Sequence, residues 1–500
     1  MSQLLTLPII LPLAAGAAAL VVRKKPGYSF VLALASAGLQ LIAAGLLLRH
    51  VHLDGILAIQ VGNWPAPFGI TLVADRLSAV MVLITAVINL AVTSYAKTDI
   101  DINLVRRGHY CLLQVLVAGV CGAFLTGDVF NLYVWFEVML MASFGLLVLG
   151  QSKSQLDGGV KYVTINLFAT LLFLTGIGLL YGLTGTLNMA DLNQKIPQIA
   201  DRGLVTALAV LFLGAFGIKA ALFPLFFWLP ASYHTPPVTV SAVFGGLLTK
   251  VGIYALIRFF TLVFAVDMAY LNALLPAMAA LTMVTGVLGA AAQNEFRRIL
   301  SFHIISQVGY MVLGLSLQTR LAMAGTIFYL VHHIIVKANL FLVSGVVKQL
   351  RGTYQLSELG GIYRSNGLIA FLFFIPAFSL AGFPPLSGFW AKMILIRASL
   401  ETQQYWLALI AAAVGLLTVY SMTKIWAEVF WKPAPQGTQA VQAPRFPNPS
   451  AWMLAPVAVL TGLTLVIGLG AEFVFQFAAQ AAEDIANPAL YINAVLGDQK

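Results

Sequence analysis

One carboxylate and four lysines in this chain sit in stretches that offer them no water. Glu137 lies in GDVFNLYVWFEVMLMASFG, nine residues after Asp128. At a rise of about 1.5 Å per residue this puts it about 13 Å along a helix. Lys219 (AFGIKAALFP) and Lys250 (GGLLTKVGIYALI) have apolar residues on both sides. Lys337 lies 16 residues into a 27-residue apolar run, too deep to snorkel easily to either surface. Lys392 follows AGFPPLSGFW and has about five residues left before its helix ends, so it alone has snorkelling as a ready alternative. His333 shares a helical face with Lys337, four residues on, while His332 points about a third of a turn away. Each buried ion costs about 3 kcal/mol on insertion scales, so five together cost on the order of 15 kcal/mol. Serine or asparagine would tie helices together for less. The chemistry these residue types offer is proton transfer. A lysine taken out of water releases its proton more readily and a nearby carboxylate reverses that effect, so a movable Glu–Lys pair acts as a proton switch.

Long apolar helices must position these groups. Of the 500 residues 60% are hydrophobic and only 9% charged, against about 25% charged in soluble chains. Apolar runs near the 20 residues needed to cross a bilayer recur throughout. They predict an all-α polytopic membrane protein with about 14 helices at 3–22, 28–48, 70–96, 108–126, 128–150, 160–184, 203–228, 237–261, 269–291, 299–317, 321–347, 367–397, 404–430 and 450–478. The first reads as a membrane helix and not a cleaved signal, since no basic region precedes it. Two helices contain breaks, one around Pro224 and Pro230 and the other around Pro384 and Pro385. Proline removes a donor and kinks a helix, and the freed carbonyls must be buried or line a wet cavity. Interrupted helices at corresponding places in two halves mark the site of an inverted-repeat transporter.

Charge excludes other classes. The net charge of +10 comes from short clusters such as Arg23-Lys24-Lys25, Arg106-Arg107 and Arg297-Arg298, placed between apolar runs. This is a positive-inside pattern and does not point to nucleic acid. Odd-numbered loops hold 16 Lys and Arg residues and even-numbered ones six, which puts both termini outside the cytoplasm. Cys111 and Cys121 share one apolar run and offer neither a disulfide framework nor a metal motif. The longest polar stretch, 433–450, reads as a flexible cytoplasmic linker. No soluble domain or cofactor is expected. The chain reads as a transporter subunit and not an enzyme, with any electron-transfer chemistry on another subunit.

The segments GDVFNLYVWFE, KAALFPLFFWLPASYHTPPVTVSAVFGGLLTKVG, HHIIVKANLFLVSG and AGFPPLSGFWAK resemble the antiporter-like subunits shared by respiratory complex I and Mrp-type multisubunit cation/proton antiporters. The resemblance covers almost the whole chain. GNWPAPFGITLVADRLSAVMV, together with the length and the lack of a long lateral helix, is most similar to Mrp D-type subunits. The resemblance implies three N-terminal helices (1–107), two inverted five-helix repeats that each form a proton half-channel (108–261 and 262–431), and a last section (432–500). It also implies a Glu137–Lys219 pair with relay positions at Lys250, Lys337 or its histidines His332 and His333, and Lys392. Implied partners are other membrane subunits, including a homologous antiporter-like one, with protons and Na⁺ or K⁺ as cargo in a bacterial cytoplasmic membrane. A proton-pumping subunit of a redox complex uses the same parts and is the alternative. A single deep carboxylate among lysines suits protons better than a dehydrated Na⁺, so the sodium site is expected at least partly on a partner.

Overall fold

The computed structural model describes residues 2–265, 269–433 and 449–497. Most of the expected 433–450 linker lies outside the described residues. The helices are α1 (Leu7–Val21), α2 (Pro26–Asp54), α3 (Arg76–Asp99), α4 (His109–Leu125), α5 (Val129–Val148), α6 (Lys153–Thr184) and α7 (Arg202–Ala220). They continue with α8 (Val238–Val263), α9 (Ala269–Ala292), α10 (Phe296–Leu317), α11 (Arg320–Arg351), α12 (Gly367–Ala381), α13 (Ser387–Glu401) and α14 (Tyr405–Trp431). Last come α15 (Ala451–Leu469), α16 (Ala471–Ala486) and α17 (Pro488–Leu496). Eleven of these are long and apolar enough to cross a membrane, and α1, α4 and α12 are shorter apolar helices. With α12 and α13 as one broken pass, this is the 14-pass architecture read from the sequence. Helix α11 is buried along its entire apolar window and forms the axis of the molecule, packed by α3, α8, α10, α12, α13, α15 and α16.

The structure differs from the hydropathy reading at the start of one run, at the end of another and at Pro230. The run at 70–96 begins with a strand, β2 (Thr71–Ala74), paired antiparallel with β1 (Leu57–Gln60). Helix α3 starts only at Arg76, because the Asp75 side chain accepts from the Ser78 amide at 2.9 Å in a capping box. The last run stops at Leu469 instead of reaching 478. Beyond Gly470 the amphipathic α16 turns Ala478, Ala481, Ala482 and Ile485 inward and leaves Phe473 exposed. It is tied down by Arg76–Asp484 at 2.6 Å and Arg320–Glu483 at 2.9 Å. Pro230 does not lie in the first break. It sits within a helical turn, Trp228–Ser232, that follows the break.

A repeat is written in the capping groups. Helices α6 and α11 both have 32 residues, start at side-chain caps Ser152 and Thr319, and end at left-handed Gly185 and Gly352. Asp128 caps α5 and Glu295 caps α10. Isolated β-bridges join Asp128 to Asn188 and Glu295 to Gln355. The Phe124 carbonyl accepts from Tyr254 Oη and the Ala291 carbonyl from Lys424 Nζ. The paired caps, bridge residues and carbonyls all stand 167 residues apart (295 − 128, 319 − 152, 352 − 185, 355 − 188, 291 − 124). Since α5 is the fifth pass and α10 the tenth, equivalent features lie at opposite ends of the bundle. The two five-helix units are therefore inverted.

Candidate functional site

The first cluster forms where α7 breaks. Ala221 adopts a left-handed conformation (φ 61°), ending α7 two residues after Lys219. The Leu222 amide then folds back onto the Gly217 carbonyl at 2.8 Å. Groups freed by the break find partners, as burial requires. The Ile218 carbonyl accepts from Trp228 Nε1 at 3.1 Å, and the Phe223 amide donates to Thr282 Oγ1 of α9, in the other repeat, at 2.9 Å. Lys219 Nζ donates to the Asn166 carbonyl at 3.4 Å and to Thr170 Oγ1 at 3.5 Å, and lies 5.6 Å from the centre of the Phe136 ring. Thr170 Oγ1 in turn donates to Glu137 Oε1 at 2.7 Å. Glu137 and Lys219 are not within ion-pair distance among the described residues. A hydroxyl stands between them. Beside Lys219 is a cavity of about 20 Å³ lined by Phe136, Asn166, Tyr162, Tyr233 and Leu248, about the size of one water.

Lys250 lies one helix further in, wholly buried on α8. Immediately before it, Phe244–Leu248 winds as a π-helix, a geometry that rearranges the usual carbonyl acceptors. Lys250 Nζ donates to the Gly245 carbonyl at 2.5 Å. Gly245 presses against the Phe341 ring of α11, where an added Cβ would come within 2.6 Å.

On α11, Lys337 Nζ donates to the Leu300 carbonyl of α10 at 3.1 Å. His333, wholly buried one turn before Lys337 on the same helix, has no hydrogen-bond partner on either ring nitrogen among the described residues. His332 faces the second break instead, with Nδ1 2.8 Å from Ser387 Oγ, which is 2.9 Å from Ser379 Oγ. That break follows Ala381 at left-handed Gly382 (φ 93°) and carries Pro384 and Pro385. Lys392 reaches back across it from α13 and donates to the Leu380 and Ala381 carbonyls at 2.9 and 3.1 Å. It therefore caps the broken end of α12 and does not snorkel; it is 6% exposed.

Thus Thr170 stands between Glu137 and Lys219 beside the first break, Lys250 and Lys337 are held by main-chain carbonyls, and His332 and Lys392 meet the second break. Several participants escape sequence reasoning. Thr170 and Asn166 are ordinary polar residues on a helix, and their signal is the 167-residue spacing that matches them to Lys337 and His333. His303 on α10 is fully buried, and neither ring nitrogen has a hydrogen-bond partner among the described residues. A separate buried ion pair, Arg258–Asp75 at 2.5 Å, lies at the end of the bundle covered by α16 and α17, with Tyr491 of α17 5.6 Å from the guanidinium. Among the described residues no group of three or more His, Cys, Asp or Glu side chains is placed to hold a metal ion.

These features define a polytopic membrane protein with two inverted helical repeats, a half-buried glutamate and a set of buried lysines and histidines at and between its helix breaks. Residues 126–418 match the NADH:quinone oxidoreductase/Mrp antiporter transmembrane family, and the chain belongs to it. It is 46% identical over 497 residues to the D-type subunit of the Na(+)/H(+) antiporter of Alkalihalophilus pseudofirmus, covering 99% of this chain and 100% of that one. It is 39% identical to the corresponding Na(+)/H(+) antiporter D-type subunit of Bacillus subtilis, with the same coverage. Among solved structures, a chain of the Mrp complex from Dietzia sp. DQ12-45-1b superposes with a TM-score of 0.90 at 33% identity, covering 99% of each chain.

Proposed function

We propose that this chain is the D-type membrane subunit of a multisubunit Na⁺/H⁺ antiporter and carries protons through Glu137, Lys219, Lys250, the His333–Lys337 face with His332, and Lys392. The two half-channels are residues 108–261 and 262–431. The observation that carries this reading is how the buried lysines are held. Lys250, Lys337 and Lys392 each bond main-chain carbonyls, and Lys219 bonds a carbonyl and a hydroxyl. None is locked to a carboxylate among the described residues, so each can lose and regain a proton without breaking an ion pair there. The proposed line has one carboxylate among four lysines, a charge balance that suits protons better than a dehydrated Na⁺ and supports a sodium site at least partly on a partner subunit. Partners on this reading are the other membrane subunits of the complex, one of them homologous to this chain, in a bacterial cytoplasmic membrane. Both termini lie on the non-cytoplasmic side.

The test is Na⁺/H⁺ exchange in everted vesicles carrying the full complex with Glu137→Ala or Lys219→Ala. Exchange is lost while the complex still assembles. Wild-type exchange in either variant removes the assignment, and equal loss of assembly points to a structural subunit.

A further inference from the structure

Threonines within helices ordinarily turn their hydroxyl back to the carbonyl four residues earlier. Thr175 and Thr184 do so on this same helix, α6, bonding Leu171 and Leu180 at 2.8 Å each. Thr170 does not. Its hydroxyl donates across to Glu137 of α5, and the carbonyl it would have used, that of Asn166, is taken by Lys219 of α7. The hydroxyl oxygen also faces Lys219 at 3.5 Å. Three helices therefore meet at one oxygen that has the carboxylate as acceptor on one side and the ammonium as donor on the other. The bond to Glu137 is of normal length, and that to Lys219 is at the outer limit of a hydrogen bond. A small advance of the lysine closes the chain. In the other repeat the equivalent position, 167 residues on, is Lys337. Both halves thus keep a proton-bearing group at this point of the long helix.

We infer that Thr170 is a proton-transfer element between Lys219 and Glu137, with its hydroxyl acting as both donor and acceptor; this rests on the relay reading above. In the transfer the Lys219 ammonium gives one N–H proton to Thr170 Oγ1. At the same time the proton already on Thr170 passes to Glu137 Oε1. One N–H and one O–H bond break, two O–H bonds form, and the products are a neutral amine, a neutral carboxyl and an unchanged threonine. The reverse passage restores the two charges. Because the acid and the base never need to touch, the position of the lysine alone opens or closes the path.

The experiment compares Thr170→Val, which keeps the shape and removes the hydroxyl, with Thr170→Ser, which keeps the hydroxyl and removes the methyl. Both are made in the full complex and read as exchange in everted vesicles, beside Thr175→Val as a same-helix control. Thr170→Val is expected to lower exchange about tenfold or more with normal assembly, Thr170→Ser to restore at least about half of it, and Thr175→Val to leave it unchanged. Wild-type exchange in Thr170→Val, with Glu137→Ala inactive, overturns the hydroxyl's role and leaves the relay standing. A serine variant as poor as the valine one, or failure of the valine variant to assemble, assigns Thr170 to packing and also overturns it. Full exchange in Glu137→Ala removes the relay itself.

Discussion

Lys250, Lys337 and Lys392 take main-chain carbonyls as partners, whereas Arg258 takes the Asp75 carboxylate. On the proposed relay, this difference separates moving charge from fixed charge. Arginine does not deprotonate in proteins, so its buried charge needs a permanent counter-ion. Burial would raise the pKa of Asp75, but the Arg258 guanidinium and the Ser78 bonds hold it below the usual carboxylate range. The stability this pair gives is therefore present above pH of about 4 and lost as acid protonates the carboxylate. Removing one partner leaves a buried unpaired charge and costs about 3–5 kcal/mol. Asp75→Asn or Arg258→Gln should lower the melting temperature and yield of the purified complex, and the Asp75→Leu/Arg258→Met pair should recover much of the loss. By contrast Lys250→Met should leave melting nearly unchanged and abolish exchange. A melting loss in Lys250→Met equal to that in Arg258→Gln would contradict this division. Glu137 and the lysines were legible in the sequence because an ion in an apolar run is costly whatever its partner. Thr170 was not, since a helical hydroxyl normally satisfies itself. Nor was His303, because a lone histidine in an apolar run reads as a packing residue and its burial is set by other helices.

At the scale of elements, the breaks are built by contact as much as by proline. Gly388 opens α13 directly against α12 and α11. A Cβ there would stand 1.8 Å from the Ser379 carbonyl oxygen and 2.9 Å from the His332 ring. Gly388→Ala must push α13 away from both, separating Ser387 from His332 and drawing Lys392 off the end of α12. The expected result is loss of most exchange together with a lower melting temperature. Gly462→Ala on α15, where nothing lies within 4 Å of the added atom, should behave as wild type. Normal exchange in Gly388→Ala would show that the second break tolerates displacement. Hydropathy located the eleven helices long enough to cross a membrane and also the shorter apolar α1, α4 and α12. It missed the β1–β2 hairpin, whose four-residue strands merge into the following helix, and the stop at Gly470, where an amphipathic helix continues the apolar count. It also placed Pro230 in the break. The helical turn at Trp228–Ser232 resumes before that proline, near a helix start, where a missing amide is tolerated.

Across the whole molecule, the 167-residue repeat makes two similar five-helix units, the proposed half-channels, that are not equal. Glu137 has Ile304 as its counterpart 167 residues on, and Thr170 has Lys337, so the acid belongs to one half and an additional base to the other. Inversion points equivalent ends of the two units at opposite faces of the membrane, and the direction of proton flow depends on which face is which. On the orientation proposed above, from 16 Lys and Arg in odd-numbered loops against six in even-numbered ones, the odd loops lie in the cytoplasm. Asp75, Arg258 and the covering helices α16 and α17 then face the outside. Arg297, Lys348, Lys424 and Lys432, which sit at the other ends of their helices, face the cytoplasm. Alkaline phosphatase, which folds only outside the cytoplasm, should be active when fused after Leu496. A fluorescent protein exported unfolded at the same point should be dark. Fusions within the odd loop after Arg351 should give the opposite pair of signals. A bright, phosphatase-negative fusion at Leu496 would invert the molecule, and with it the side from which each half-channel takes up its proton.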